Sequence, residues 1–334
     1  MKKGKPVFGT ICAMALLLAA TSTQASVWRI NNNPGTSPHF TELREAVAST
    51  SVSNGDTLYV EPSAYPYQYV FLTKKLTIIG NGFFLSGADG NPDLQVNPNQ
   101  SIVSFNLDTT ASGSVFQGLN TTMDIQPSVD DILIDRCRLS IRQYGTAAAG
   151  NLVKNFRVFK SWLSYWSFSF PTENTEIRNC IFVTGLDLTN CSNALIRNNN
   201  FIGSYLIGSN GYFSNNIFIG GGQYTSNCTF KYNVCTNDML PATNNNKLWA
   251  DGNSLFAGGS SADGRYMLLP GSPASGAGEP VNGITPDCGI FGTADPYKLS
   301  GIPPIPAIYK LTVPSSVPSS STSMTITIST RSNN

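Results

Sequence analysis

Between residues 131 and 236 the chain repeats one short pattern of polar and apolar positions. Six segments share it: DILIDRCRLS from Asp131, NFRVFKSWLS from Asn155, NTEIRNCIFV from Asn174, NALIRNNNFI from Asn193, NGYFSNNIFI from Asn210 and NCTFKYNVCT from Asn227. Their starts lie 24, 19, 19, 17 and 17 residues apart. Stacked on one another, they place Ile134, Val158, Ile177, Ile196, Phe213 and Phe230 in one apolar column. Leu139, Leu163, Phe182, Phe201, Phe218 and Cys235 form a second. Apolar residues at alternate positions belong to half-buried strands, and a repeat this short has no room for a helical hairpin. A strand coil that returns on itself stacks into a solenoid, with about 4.8 Å between coils.

Between the apolar columns runs a bend column: Cys137, Ser161, Cys180, Asn199, Asn216, Asn233. Asn179, Asn198 and Asn215 precede three of these positions. Asparagine is poor in helix and strand interiors, but stacked at a bend it can bond amide to amide between coils. Asn179, Asn198, Asn199, Asn215, Asn216 and Asn233 are therefore expected to form a buried structural ladder. Asn200, whose counterparts are Ile181, Ile217 and Val234, is expected to face solvent. Upstream, FTELREAV puts Phe40, Leu43 and Val47 on one helical face, which suits a short N-terminal capping helix over the first coil. Residues 307–334 hold two alternating apolar runs around a Pro/Ser-rich linker. They read as two short strands edging the solenoid, or as a strand offered to a protein partner.

Thirty glycines and twenty prolines agree with an all-β chain of many turns. With 12% charged residues and a formal net charge of +1, the basic excess typical of nucleic-acid partners is missing. The first 25 residues differ: Lys2, Lys3 and Lys5 precede an apolar run over 11–20, and Thr23-Gln24-Ala25 supplies a small-residue cleavage pattern. This predicts a signal peptide cut before Ser26, and hence export to the periplasm, cell surface or exterior. The apolar run is short for a membrane span, and no later stretch supplies a transmembrane segment. The expected organisation is a signal peptide over 1–25, a solenoid over 26–306 and a tail over 307–334. Six cysteines follow the leader: Cys137, Cys180, Cys191, Cys228, Cys235 and Cys288. Cys137 and Cys180 fall two coils apart, about 9–10 Å, beyond disulfide reach, so buried unbridged thiols are expected.

GDTLYVEPSAY and LTKKLTIIGNG, followed by I-x-N-N-x-F coils, resemble the secreted right-handed parallel β-helix proteins of the pectin-lyase-like superfamily. The stretch DGRYMLLPGSPASGAG…DCGIFGTADPYKLSGIPPIP (263–306) is similar to the closing segment of bacterial exported members. The resemblance covers roughly residues 27–306. It implies an all-β fold, a right-handed parallel β-helix, and a polysaccharide partner.

Catalytic members of polygalacturonase type carry N-x-D, D-D and G-H-G signatures. This chain has one histidine, His39, near the expected cap, and no G-H-G. Alternation sends Asp130, Asp131 and Asp135 to different faces, as solvated turn and edge acids. Lyase-type elimination uses calcium-binding acids and a base, yet GLDLTN, SYLIGSN and GQYTSN offer only Asp187. One carboxylate is a poor calcium site, so no cofactor is expected, with calcium left open but without a convincing acidic cluster. Arg178, Arg197 and Lys231 recur at one position, with Ser214 between. They could grip the carboxylates or sulfates of an anionic glycan, or be solvated cations offset by Glu173, Glu176 and Asp187. FKSWLSYWSFSF (159–170) brings Trp162, Tyr165 and Trp166 together, with Trp162 outward, as a sugar-stacking platform or as core filling. The leading expectation is a glycan-associated protein without a well-formed catalytic centre. The alternatives are a polysaccharide lyase or glycoside hydrolase with a divergent site, and a structural or adhesion surface protein.

Overall fold

A computed structural model describes residues 25–143, 151–167, 171–203 and 205–333, so the expected leader falls outside it except for Ala25. The repeats form an all-parallel β-solenoid of about 9 turns. Two ten-stranded sheets run along it, the first from Val27–Ile30 to Thr229–Lys231, the second from Val70–Leu72 to Lys247–Leu248. Two three-stranded sheets fill the bends, one of Val153–Lys154, Thr172–Glu173 and Cys191–Ser192, the other of Leu186–Leu188, Tyr205–Ser209 and Gly222–Ser226. The strand register is the one the repeats predict. Ile134, Val158, Ile177, Ile196, Phe213 and Phe230 are successive partners in the first sheet. Leu139 to Cys235 are successive partners in the second. Since side chains alternate between faces, each column lies wholly inside, and all twelve residues are buried. The rings repeat the strand spacing: Phe182–Phe201, Phe201–Phe218 and Phe213–Phe230 centroids are 4.6, 4.7 and 4.8 Å apart. The helix Leu43–Ala48 buries Leu43, Ala46 and Val47 beside the first strands, and Glu42 and Glu45 close a capping box at its start.

The bend column forms a continuous ladder. The backbone N–H of Cys180, Asn199 and Asn216 each donates at 2.9 Å to the Oδ1 of the next rung, Asn199, Asn216 and Asn233. Earlier, Cys137 donates to Ser161 Oγ and Ser161 to Cys180 Sγ, so serine and cysteine serve as shorter rungs. Asn246, outside the aligned repeats, ends the ladder by accepting from Asn233 at 3.1 Å. Asn179, Asn198 and Asn215 are not such rungs. They take left-handed φ of 55°, 54° and 59°, which asparagine tolerates. Their amides mostly reach away from the ladder, and only a long 3.5 Å bond joins Asn215 to Asn198.

Those amides hold the C-terminal chain. Asn215 Oδ1 accepts from the Glu279 amide at 2.7 Å, and Asn198 Nδ2 donates to the Asp287 carbonyl at 3.2 Å. Asn179 Nδ2 donates to the Ile290 carbonyl at 2.9 Å, Lys160 Nζ to Asp295 at 2.7 Å, and Arg136 Nη1 to the Ile302 carbonyl at 2.9 Å. Phe83 N–H reaches the Ser300 carbonyl at 2.8 Å. The closing segment is thus a strap that runs back along the bends from late coils to early ones. It also corrects the expectation for Asn200, which is fully buried. Gly289 (φ 86°) covers it, and a Cβ there would lie 2.6 Å from Asn200 Oδ1. Neither polar atom of the Asn200 amide has a hydrogen-bond partner.

Asp135 is likewise buried rather than a solvated edge acid. It lies 3.3 Å from Lys160 Nζ and 3.5 Å from Arg136 Nε. The tail pairs Ala307–Thr312 antiparallel with Thr327–Arg331, and is moored by Val96 N–H on the Ile308 carbonyl and Arg331 on the Leu94 carbonyl. The six cysteines are free thiols. Burial pushes Cys180 and Cys288 up to about 12, which keeps them protonated. Among the described residues no helix is long and apolar enough to cross a membrane.

Candidate functional site

Five exposed rings, Tyr69, Phe71, Tyr165, Tyr205 and Tyr224, lie on the outer face of the second sheet and its continuation. Register sets two outward columns there: Phe71, Asn106, Asp124, Arg142, and Ser104, Thr122, Ser140, Tyr165. In later coils this part of the coil becomes the strands Leu186–Leu188, Tyr205–Ser209 and Gly222–Ser226. Trp166 Nε1 ties the two parts together by donating to the Asp187 carbonyl at 3.1 Å. Leu186, Leu188 and Leu206 point inward, which leaves Tyr205, Ile207 and Tyr224 outside. Tyr205 and Tyr224 are 58% and 69% exposed, with nearly parallel rings 6.4 Å apart. Tyr205 lies over Gly222, where any Cβ would press on its ring at 3.3 Å. Tyr165, Phe71 and Tyr69 are also exposed, so rings mark this face from the early coils to the late ones.

A polar cluster sits among the early rings. Arg142 Nε and Nη2 grip Asp124 at 2.8 and 3.1 Å, and the Tyr69 hydroxyl donates to Asp124 Oδ2 at 3.0 Å. Tyr69 meets Phe71 edge-on at 5.2 Å. Burial, and then the bond to Asp124, push the Tyr69 phenol above its ordinary pKa, so it stays a donor. Asn106 is buried, accepts from Gln126 at 2.6 Å, and keeps an unpartnered Nδ2. One carboxylate is balanced by one guanidinium, with amide and phenol donors beside them. Such a set has the chemistry to hydrogen-bond hydroxyls. It lacks the second carboxylate that glycoside hydrolysis needs, and Arg142 is tied to Asp124.

The other predicted site residues are dispersed. Arg178, Arg197, Ser214 and Lys231 share one outward column of the first sheet. Arg178 lies 3.5 Å from Glu176 and 4.0 Å over the Phe159 ring. Arg197 and Lys231 flank the Tyr212 ring, whose hydroxyl donates to Glu279 at 2.7 Å. The offsetting acids are therefore Glu176 and, through Tyr212, Glu279 of the strap. Asp187 sits on another sheet, where its carboxylate accepts from the Thr189 amide and hydroxyl at 2.9 and 2.6 Å. Trp162 does point outward, but Phe84 and Tyr266 pack over it at 5.1 and 6.4 Å. Trp166 points inward and is 5% exposed, so it is core. Of that trio only Tyr165 is open to a ligand. His39 Nδ1 accepts from the Arg29 amide.

Among the described residues no three His, Cys, Asp or Glu side chains converge. With Asp124 held by Arg142 and Asp187 by Thr189, these acids do not fit a calcium cage. No family model matches the chain, and no curated protein matches it.

Sequence reasoning missed Tyr69, Phe71, Asp124, Arg142, Tyr205 and Tyr224. The early four lie outside the six aligned repeats. The two late tyrosines stand in SYLIGSN and GQYTSN, where a search for acids passes over them.

Proposed function

We propose that this is an exported protein of the pectin-lyase-like β-helix group that binds polysaccharide along this ring-bearing face without cleaving it. The row of exposed rings carries the reading. A flat ring matches the C–H face of a pyranose, and a stacked-coil face offers an extended chain successive contacts. The balanced Asp124–Arg142 pair favours a hydroxyl-rich polymer over a strongly anionic one. The test is a panel of neutral and uronate polysaccharides, scored for retention in an affinity gel and for released product. Retention without product is expected, and Tyr205→Ala with Tyr224→Ala should weaken it by about tenfold. Released product would establish the lyase or hydrolase alternative. Binding lost only on replacing Arg178 and Arg197 would move the site to the first sheet and to anionic glycans. No binding across the panel, with an intact fold, would favour the structural or adhesion alternative.

A further inference from the structure

Asp56 fastens the beginning of the first coil. Its carboxylate is 4% exposed, and none of the ion pairs among the described residues includes it. Three N–H donors surround it instead. The Ser26 amide lies 2.8 Å from Oδ1, while Trp28 Nε1 and the Ser53 amide lie 2.8 and 2.9 Å from Oδ2. Lys74 acts on it only at a distance, since its ammonium is bonded to the Ser49 and Val52 carbonyls. Burial alone would raise the pKa of this carboxyl, but the three N–H bonds, with Lys74 at a distance, outweigh it and hold the group ionised below its ordinary pKa, still without a direct ion pair.

Ser26 is where the described chain becomes seated. Its carbonyl accepts from the Thr57 amide at 2.8 Å, and Val27 begins the first parallel strand. Ala25 and Ser26 are both exposed, outside any strand. The sequence independently sets the leader boundary at the Ala25–Ser26 bond, after Thr23-Gln24-Ala25. The predicted new terminus and the carboxylate without a cation therefore meet at one nitrogen.

We infer that leader removal turns the Ser26 amide nitrogen into an α-ammonium that ion-pairs with Asp56, so that processing itself locks the first coil. An endopeptidase hydrolyses the Ala25–Ser26 bond with one water. Ala25 keeps the carboxylate, and Ser26 keeps the amine, which takes up a proton. A nitrogen with one hydrogen and a partial charge becomes one with three hydrogens and a full charge, in the position that already faces Asp56 Oδ1. The carboxylate favours the protonated amine at neutral pH. An unprocessed chain holds the same hydrogen bond without the charge.

The test begins with the intact mass of the exported protein, where a chain starting at Ser26 is expected. Chains beginning at Ser26 with a free or an acetylated amine are then melted, each with Asp56 and with Asp56→Asn. The free-amine chain should melt about 2–4 °C above the acetylated one at neutral pH. The gap should close in Asp56→Asn, and also at a pH high enough to neutralise the amine. Should Asp56→Asn fail to fold, the acetylation and pH comparisons on the unsubstituted sequence still decide. Equal melting of free and acetylated chains, or an exported product that starts elsewhere, would overturn the inference.

Discussion

At Asn216 one side chain holds three levels of the stack. Its Oδ1 accepts from the Asn199 backbone N–H, and its Nδ2 donates to the Ile196 carbonyl and to Asn233 Oδ1. Asn216→Ala orphans buried groups above and below, at about 1–3 kcal/mol each, measurable by denaturant titration. Asn216→Cys should cost less, since cysteine already serves as a rung at position 180, where its Sγ accepts from the Ser161 amide. Asn200 behaves oppositely. Its amide is buried without a partner, so Asn200→Val should raise the midpoint by removing a desolvated polar group. The rungs were legible in the sequence because a column of Asn, Ser and Cys makes sense only as a stacked bend. The burial of Asn200 was not legible. It depends on Gly289, a residue 89 positions later that no local pattern connects to it. Trp166 misleads for a related reason: the register shift between Leu163 and Tyr165 exchanges the inward and outward positions that strict alternation assigns.

The strap fixes its own electrostatics. Burial pushes Asp135 above the usual carboxylate range, although Lys160 and Arg136 pull it partly down. Burial also pushes Asp295 up, but there the hydrogen bond and charge of Lys160 win and leave it below the usual range. For Asp135 the folded pKa exceeds the unfolded one. Its penalty is therefore complete above the folded pKa, and is relieved as pH falls through that value. Asp295 contributes stability above its unfolded pKa and loses it as pH falls through its depressed folded pKa. Lys160→Met should thus cost most at neutral pH, about 3–5 kcal/mol for breaking the buried pair with Asp135. The loss should shrink in melts taken at progressively lower pH, and a pH-independent loss would refute this account. The sequence suggested a closing segment over 263–306 but not its path. The path is set by scattered anchors, Lys160, Asn179, Asn198 and Asn215, whose roles emerge only once the coils are stacked.

Across the whole molecule, stacked coils touch only their neighbours, so a bare solenoid tends to unfold piece by piece. The strap connects bends from Phe83 to Asn215 and should make unfolding a single calorimetric transition. Gly301→Ala tests this. At φ 54° a Cβ would run into the Phe83 ring and the Arg136 carbonyl, so the variant should loosen the strap and broaden or split the transition. The stack itself was legible from its columns, whereas the ring-bearing face was not. Phe71, Asp124 and Arg142 come together only through the register of early strands that carry no recognisable repeat. The direction of the strap also has a consequence in time. A chain delivered from its N terminus can wind its coils in order, each new turn templated by the one before. The strap has nothing to grip until the late turns exist, and its bond from Ser300 to Phe84 closes a loop of 216 residues. Contacts that distant in sequence form slowly. Docking of the strap should therefore come late in folding, and until then the bends from Arg136 to Asn215 should stay open to proteases.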